Sequence, residues 1–296
     1  MKVRETLDNT QNIQYTGDLH IGTPPQTVRA VFDTGSANPW ILSKQAADKN
    51  NRTSGYYDPS KSVTYQGRSE KNKDWVNISF GSGKLSGYFV TDSVTLGEKE
   101  ENSHLTVPAW TFGLVIEEQV FSPNFSAIIG MAYPQFAEPG VTPFFEALRQ
   151  TGKLAREEHS WYLSLNPDEQ SEIVMGGWNE ERFNKTQLNW HPVVNQLFWT
   201  LKLDDVKIGG VSTGLCTRRG ANCTVAPDSG TSLLTFPPGH HSEFMKMYGD
   251  SVECTEEELM SFPDMVYVIE GKEYNVPPHH WIGRTVNSTD HSKGTC

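Results

Sequence analysis

Short apolar runs separated by Gly, Pro and Asn turns dominate the chain, a pattern typical of β-strands. The predicted strands cover residues 15–21, 28–32, 75–80, 85–94, 110–116, 161–165 and 198–208. The fourth run passes through Gly87, which predicts a sharply bent hairpin arm. The pattern therefore predicts a mainly β protein.

Helical signals are few and short. Pro143 at a first helical position and Gly152 just past the last apolar residue predict one helix between them. A second is predicted over 238–248, and a capping box of Thr255 and Glu258 predicts a third, brief one. The prediction remains all-β, with a few short helices.

Composition places limits on size and partners. At 296 residues, with 36% hydrophobic and 21% charged residues, the chain is long enough for two domains or one two-lobed unit. Its net charge of −11 argues against nucleic acid, because phosphate recognition needs a basic surface. No apolar run approaches the roughly 18 residues of a membrane span. The N-terminus lacks the apolar core of a signal peptide, so the chain is either cytosolic or separated from an upstream targeting segment.

One small-residue turn occurs twice, as Asp-Thr-Gly-Ser at 33–36 and as Asp-Ser-Gly-Thr at 228–231. Each copy follows a short run of mostly apolar residues, and the aspartates are 195 residues apart, about one domain or lobe. A single turn of this kind is common, since Gly and Asp favour turns. Two unrelated turn aspartates are the alternative to a repeated catalytic element.

A duplicated fold can bring one carboxylate from each half together at a symmetry axis. Two carboxylates a few ångströms apart cannot both ionise, so Asp33 and Asp228 would share one proton. The ionised member can then take a proton from water while the protonated member polarises a carbonyl oxygen. The pair predicts peptide hydrolysis with neither a metal ion nor a covalent intermediate. Adjacent histidines elsewhere point apart on regular structure, so no metal site is expected.

Three segments carry a family resemblance. They are 15–26 (YTGDLHIGTPPQ), 31–38 with Trp40 (VFDTGSAN), and 127–134 (AIIGMAYP). Together they resemble the pepsin-like aspartic proteases along nearly the whole chain. The resemblance implies a bilobal, mainly β fold with an N-terminal lobe at 1–185, carrying the first aspartate, and a C-terminal lobe at 186–296, carrying the second.

The resemblance also implies roles in the two turns. Asp33 and Asp228 would hold the attacking water between them. Their neighbours would support this dyad through close backbone approach at the glycines, hydroxyl bonds to the outer carboxylate oxygens, and a lock between the two loops. The supporting residues are Thr34, Gly35, Ser36, Ser229, Gly230 and Thr231.

Residues 78–83 resemble the family's flap, a hairpin that closes over bound peptide. The expected flap and substrate-binding residues are Phe80, Gly81, Ser82, Trp40, Phe125 and Phe198. Phe80 stands where the family usually has tyrosine, so a phenol hydrogen bond to the Trp40 indole cannot form. A plain strand-core role for Phe80, and for the aromatic residues Phe125 and Phe198, is the alternative.

Four cysteines allow three connectivities. Local pairing, Cys216 with Cys223 and Cys254 with Cys296, is preferred because short loops close at the least entropic cost, and four free thiols are the alternative. Six Asn-X-Ser/Thr sequons, more than chance gives, lie at Asn51, Asn77, Asn124, Asn184, Asn222 and Asn287. Both features favour a glycoprotein of the secretory pathway, secreted or in an endolysosomal or vacuolar lumen, and the family resemblance implies that it is made as a zymogen.

The second lobe is expected to be incomplete. Gly130 of the apolar-apolar-Gly segment follows Asp33 by 97 residues, and the same spacing after Asp228 falls beyond Cys296. The expected function is an aspartic-type endopeptidase; the alternative is a pepsin-like protein that binds peptides or proteins with weak or no catalysis. The expected partners are an extended peptide in the interlobe cleft and the chain's own prosegment, in a monomer without a cofactor.

Overall fold

The computed structural model describes most of the chain in two units. Described are residues 1–52, 55–67, 75–80, 83–97, 104–119, 124–166, 168–217, 223–237, 241–242, 244, 252–286 and 294–295. Unit 1 comprises Met1–Leu188, Gln196–Trp199 and Pro227–Ser232. Unit 2 comprises Asn189–Asn195, Thr200–Ala226 and Leu233–Cys296.

The described strands of unit 1 form one ten-stranded sheet. They are β1 (Val3–Thr10), β2 (Gln14–Ile21), β3 (Gln26–Asp33), β4 (Trp40–Leu42), β5 (Trp75–Phe80), β6 (Gly83–Leu96), β7 (Leu105–Glu118), β8 (Ala127–Gly130), β9 (His159–Tyr162) and β10 (Ser171–Met175). Their order is β5-β6-β7-β4-β8-β3-β2-β1-β10-β9. Neighbours are antiparallel except for the parallel pairs β3–β8 and β4–β7. The β3–β8 register sets Asp33 beside Gly130.

Two helices and three 3-10 turns complete the described part of unit 1. Helix α1 (Lys44–Lys49) is capped by the Ser43 hydroxyl, and α2 (Phe144–Gln150) begins after Pro143. The 3-10 turns are Pro59–Lys61, Pro134–Phe136 and Lys185–Gln187. Helix α2 buries Phe144 against Phe32 and Trp110, with ring centroids 6.2 and 5.0 Å away. This packing anchors the strand that ends at the first aspartate.

Unit 2 contains three small sheets in its described residues, ordered β11-β12-β15, β14-β13-β17-β18 and β16-β20-β19. The strands are β11 (Val193–Asn195), β12 (Thr200–Lys202), β13 (Asp205–Ile208), β14 (Val211–Ser212), β15 (Thr224–Val225), β16 (Glu253–Cys254), β17 (Met265–Ile269), β18 (Lys272–Val276), β19 (Thr285–Val286) and β20 (Gly294–Thr295). The helices are α3 (Glu256–Ser261) and α4 (Pro278–Trp281). Val206, Met265 and Phe244 contribute to its apolar core.

The mainly β fold predicted from the sequence is confirmed. The run predicted at 198–208 is two strands, because its pairing partner changes in the middle. The Leu203 N–H donates to the Cys223 carbonyl, next to β15, whereas the Asp204 N–H donates to the Val268 carbonyl on β17. The Thr255–Glu258 capping box is present. Of the helix predicted at 238–248, only 241, 242 and 244 lie within the described residues, and they are helical.

The disulfide between Cys216 and Cys223 is confirmed, with Cα atoms 5.2 Å apart. The second predicted pairing involves Cys296, which lies outside the described residues. The predicted division placed all of 186–296 in one lobe, whereas Pro227–Ser232 groups with unit 1. Hydrogen bonds from this segment to the loop after β3 account for that grouping.

Candidate active site

The first aspartate turn holds the Asp33 carboxylate with two donors. Asp33 is the last residue of β3 and is only 9% exposed. The backbone N–H of Gly35 donates to its Oδ1 at 2.8 Å, and the Ser36 hydroxyl donates to its Oδ2 at 2.5 Å. Both oxygens are therefore fixed by groups two and three residues along the same turn.

The second turn repeats this arrangement on Asp228. The Gly230 N–H donates to Oδ1 at 2.8 Å, and the Thr231 hydroxyl donates to Oδ2 at 2.8 Å. The environment differs, however, because Asp228 is exposed to solvent whereas Asp33 is buried. The repeated sequence thus produces a repeated geometry in unequal surroundings.

The middle residues of the turns bind each other. The Thr34 N–H donates to the Ser229 hydroxyl at 3.1 Å, and the Ser229 N–H donates to the Thr34 hydroxyl at 2.9 Å. Each hydroxyl then donates to the other strand, Thr34 to the Pro227 carbonyl at 2.9 Å and Ser229 to the Phe32 carbonyl at 2.7 Å. This reciprocal set of bonds fixes the separation of the two loops.

The carboxylates cross over in the same reciprocal way. A Cβ built on Gly35 would lie 2.3 Å from Asp228 Oδ2, and one built on Gly230 would lie 2.1 Å from Asp33 Oδ1. Real Cβ atoms do not approach other atoms so closely, so each carboxylate occupies space that only a glycine leaves open. The two carboxyl groups are consequently within hydrogen-bonding reach of each other.

This environment raises the pKa of Asp33 to about 6. Burial is the largest cause, since it disfavours the charged form, and the nearby negative charge of Asp228 raises the pKa further. The hydrogen bonds from Ser36 and Gly35 act in the opposite direction, because they stabilise the carboxylate. Asp33 is therefore protonated in mildly acidic solution.

A layer behind the first turn supports it. The Met131 N–H, just after β8, donates to the Asp33 carbonyl at 2.8 Å. A Cβ on Gly130 would lie 2.2 Å from the Ala37 backbone, so this glycine permits the close approach of β8. The Trp199 indole donates to the Met131 carbonyl at 3.0 Å. Trp199 lies in the run predicted as a strand at 198–208, and an aromatic residue in a strand gives no sequence signal of this supporting contact.

The expected substrate-binding residues differ in their burial and in their packing partners. Trp40 is 1% exposed and packs against Phe89 at 5.4 Å between ring centroids, in the same apolar cluster as the buried Phe125. Phe198 is half-buried against Phe136, at 4.6 Å. Phe125 thus has the core environment that was the alternative to a binding role, and Trp40 is buried in the same cluster.

The expected flap corresponds to the β5–β6 hairpin. The backbone of Phe80 at the end of β5 pairs with Gly83 at the start of β6. Gly81 and Ser82, at the tip, lie outside the described residues. The β6–β7 register shifts between Ser86 and Gly87, and a Cβ on Gly87 would lie 2.2 Å from the Leu114 carbonyl oxygen.

Within the described ranges, no three His, Cys, Asp or Glu side chains gather as a metal site. In the same part of the chain, no helix is long and apolar enough to cross a membrane. The two turns themselves supply two carboxyls, four hydroxyls and four backbone N–H donors.

Comparisons with known proteins point to one family. A family model described as eukaryotic aspartyl protease matches residues 14–296. Pepsin II-2/3 of Oryctolagus cuniculus is 32% identical over 289 residues, which cover 94% of this chain and 70% of that protein. Cathepsin E of Cavia porcellus is 33% identical over 285 residues, covering 93% and 68%. Pepsin A of Rhinolophus ferrumequinum is 30% identical over 295 residues, covering 95% and 72%.

Proposed function

The chain belongs to the eukaryotic aspartyl protease family and is an aspartic endopeptidase, and from that premise we propose that Asp33 and Asp228 cut peptide bonds with a water molecule held between them. The observation that carries this proposal is the reciprocal placement of each carboxylate over the other turn's glycine. Two carboxyls held so close share a proton, and a shared proton provides one acid and one base.

The unequal burial of the two carboxyls supports a division of roles. We assign the shared proton to Asp33, whose pKa is raised to about 6 by burial and by the charge of Asp228. The exposed carboxylate of Asp228 is then the base that takes a proton from water. Environments that separate the proton affinities of two carboxyls are the usual origin of such acid and base assignments.

The proposed reaction has two proton-balanced steps. Water attacks the peptide carbonyl carbon while Asp228 accepts a proton from the water and Asp33 gives its proton to the carbonyl oxygen, which yields a neutral diol. Asp228 then protonates the amide nitrogen, the C–N bond breaks, and one diol hydroxyl returns its proton to Asp33. The products are an amine and a carboxylic acid, and the two aspartates are restored.

The turn bonds are suited to this sequence of events. Ser36 and Thr231 hold the outer oxygens, so the inner oxygens face the reacting atoms in a fixed geometry. The Thr34–Ser229 bonds keep the carboxyl separation constant while each carboxyl exchanges protons with water and substrate. Preorganised groups of this kind avoid the cost of reorientation during the reaction.

We further propose an extended peptide as substrate, covered by the β5–β6 hairpin with Phe80 near its tip. The related proteins named above are pepsins and a cathepsin. On that basis we propose that the protein acts as a monomer in a secreted, lysosomal or vacuolar lumen and is made with a prosegment. The six sequons and the Cys216–Cys223 disulfide are compatible with that route.

The test is hydrolysis of an unfolded protein substrate between pH 3 and pH 7 by the full chain. Asp33→Asn keeps the shape of the side chain but removes its acid group, so kcat should fall by about 10²- to 10⁴-fold, the usual contribution of general acid–base catalysis. Asp48→Asn is the matched control, since Asp48 pairs with Lys44 on the exposed face of α1. Undiminished turnover by Asp33→Asn would show that the proposed mechanism is wrong.

A further inference from the structure

A half-buried histidine ring packs among aromatic residues behind the first catalytic turn. The His159 ring contacts Phe145 at 4.7 Å and Trp199 at 5.1 Å between ring centroids, both edge to face. The Trp161 indole N–H donates to His159 Nδ1 at 3.0 Å. His159 and Trp161 lie two residues apart on β9, so their side chains share one face of the strand.

The hydrogen bond from Trp161 determines the tautomer of His159. An indole nitrogen can only donate, so Nδ1 must accept and carries no proton. The ring hydrogen is therefore on Nε2, which is shielded from solvent and has no hydrogen-bond partner among the described residues. A second proton can only be added at Nδ1, the atom that already accepts the Trp161 hydrogen.

Protonation of His159 would thus disrupt its surroundings in two ways. The Trp161 and His159 N–H groups would face each other as two donors, so their hydrogen bond would be lost. A positive charge would also form among aromatic rings, although part of the residue's surface is accessible. Burial alone lowers the pKa of His159 from 6.5 to about 4.

Charged groups on the neighbouring elements do not offset the effect of burial on the pKa of His159. Glu146 on α2 binds Arg149, Glu158 lies next to Arg156, and Glu172 on β10 binds Arg4. No charge–charge contribution enters the lowered pKa of His159. The contacts described above from α2, from Trp161 and from the 196–199 segment are all made by uncharged aromatic rings.

The His159 ring is connected to the catalytic turn by a short path. Trp199, which packs on His159, donates its indole hydrogen to the Met131 carbonyl at 3.0 Å. Met131 donates its own N–H to the Asp33 carbonyl at 2.8 Å. Tyr133 also packs on Trp199, at 4.6 Å. A ring displaced at His159 would therefore move the support of the Asp33 turn.

We propose that His159 is a positioning residue that, while neutral, supports the Asp33 turn through Trp199, and that its protonation weakens this support as the pH falls. This inference rests on the proposed function for its effect on catalysis. Its effect on folding does not, because the Trp161–His159 contact lies outside the hydrogen bonds of the dyad.

The sign of the effect on stability follows from linkage. The unfolded chain binds a proton at His159 below about pH 6.5, while the folded chain resists that proton until about pH 4. The stability that neutral His159 contributes is therefore complete above pH 6.5 and is lost as the pH falls to 4. The folding equilibrium constant should decrease on the order of 100-fold from this group over that interval.

The folding test uses the full chain with Asp33→Asn, which prevents self-cleavage and removes the pH dependence of that carboxyl. In this background, His159→Phe retains a ring of similar size, and His159→Gln retains an oxygen that can accept the Trp161 hydrogen. Urea unfolding at pH 7 and pH 4 gives, for each protein, the ratio of the folding constant at pH 4 to that at pH 7. This ratio should be on the order of 100-fold higher in each variant than in the parent. His279→Gln, at an exposed histidine of α4, should show no such change.

The catalytic test uses the same histidine variants with Asp33 intact. The acid limb of kcat/KM should move to lower pH in His159→Phe and His159→Gln, but not in His279→Gln. The proposal would be overturned if the folding constants of parent and variants changed equally between pH 7 and pH 4. It would also be overturned if the acid limb of kcat/KM had the same pH in parent and variants. A parent without any peptidase activity would instead contradict the proposed function, and the folding comparison would then decide on His159 alone.

Discussion

Asp33 lies against Gly230 so closely that a Cβ on that glycine would be 2.1 Å from the carboxylate oxygen Oδ1. Neither Gly230 nor its counterpart Gly35 has a positive φ, so the requirement at both positions is space and not backbone conformation. The glycines of the two turns are needed because each one faces the opposite carboxylate.

Gly230→Ala should therefore inactivate the enzyme without altering the backbone preference of the turn. The added methyl must displace the Asp33 carboxylate, and a misplacement of about 1 Å at a catalytic group costs on the order of 100-fold in rate. The measurement is kcat/KM on a peptide substrate near pH 5. Gly283→Ala is the control, since a Cβ there meets no atom within 4 Å, and it should retain parent activity. Full activity of Gly230→Ala would show that catalysis does not depend on the close fit of the Asp33 carboxylate against Gly230.

The hydroxyl of Thr34 should be required for both stability and activity. Thr34→Val preserves the shape of the buried side chain but leaves the Ser229 N–H and the Pro227 carbonyl without this partner. Such a loss costs about 1–3 kcal/mol in the free energy of unfolding, and a looser dyad should lower kcat more than it raises KM. The half-buried Thr91, whose hydroxyl bonds Thr111 on the sheet, provides the control Thr91→Val. If both variants behaved alike, the lock between the loops would have no special role.

The Asp33 carboxyl should make the protein less stable as the pH rises. The pKa of this carboxyl is about 6 in the folded chain against an ordinary value of 3.8, so the folded state binds the proton more tightly than the unfolded state. This contribution is complete below pH 3.8 and is lost as the pH rises through 6, a loss of about 3 kcal/mol. Denaturant unfolding at pH 4 and pH 7 should show this loss as a difference between the two proteins: from pH 4 to pH 7, the free energy of unfolding should change by about 3 kcal/mol less favourably in the parent than in Asp33→Asn, while the His159 contribution is common to both. Equal pH dependence in the two proteins would contradict the raised pKa.

The Cys216–Cys223 disulfide should stabilise unit 2 without acting on catalysis directly. The bridge closes a loop with a sequence separation of 7, for which the chain-entropy model gives about 2–3 kcal/mol. The double substitution of both cysteines by serine should lower the free energy of unfolding by that amount and leave kcat/KM near the parent value at low temperature. An unchanged unfolding transition in the double variant would show that the bridge contributes nothing.

Local sequence signals predicted several elements well. Strand β5 has the predicted bounds 75–80, and the helix predicted after Pro143 begins one residue later, at Phe144. Thr255 caps α3 as its spacing to Glu258 predicted. These features depend on turn and cap chemistry within a few residues, which the sequence displays directly.

Elements that depend on distant partners were missed or misjudged. Strand β1 was not predicted because Glu5 occupies one of its buried positions, where it accepts a hydrogen bond from the Asp18 N–H at 2.7 Å. The alternation of Val3, Glu5 and Leu7 could have revealed it only if a buried glutamate had been allowed. An acidic side chain at a core position is predictable only once its partner strand is known.

The candidate site shows the same contrast between local sequence signals and contacts with distant partners. The repeated turns identified both aspartates and all six neighbouring residues as one group, because that motif is local in each half. The roles of Trp199 and His159 could not be read from the sequence, since their effect on the Asp33 turn runs through Met131 and through packing between segments far apart in the chain. The acid dependence of the enzyme is thus the property that needed the structure.

The central claim is that Asp33 and Asp228 form one catalytic unit, and a double-mutant cycle tests it most directly. The measurement is kcat for Asp33→Asn, Asp228→Asn and the double variant on one peptide substrate near pH 5. When two groups act as a unit, the effects of replacing them on kcat do not add. The kcat of the double variant should therefore lie within about 10-fold of the kcat of the slower single variant. Losses that multiply in the double variant, or either single variant with parent activity, would contradict the account.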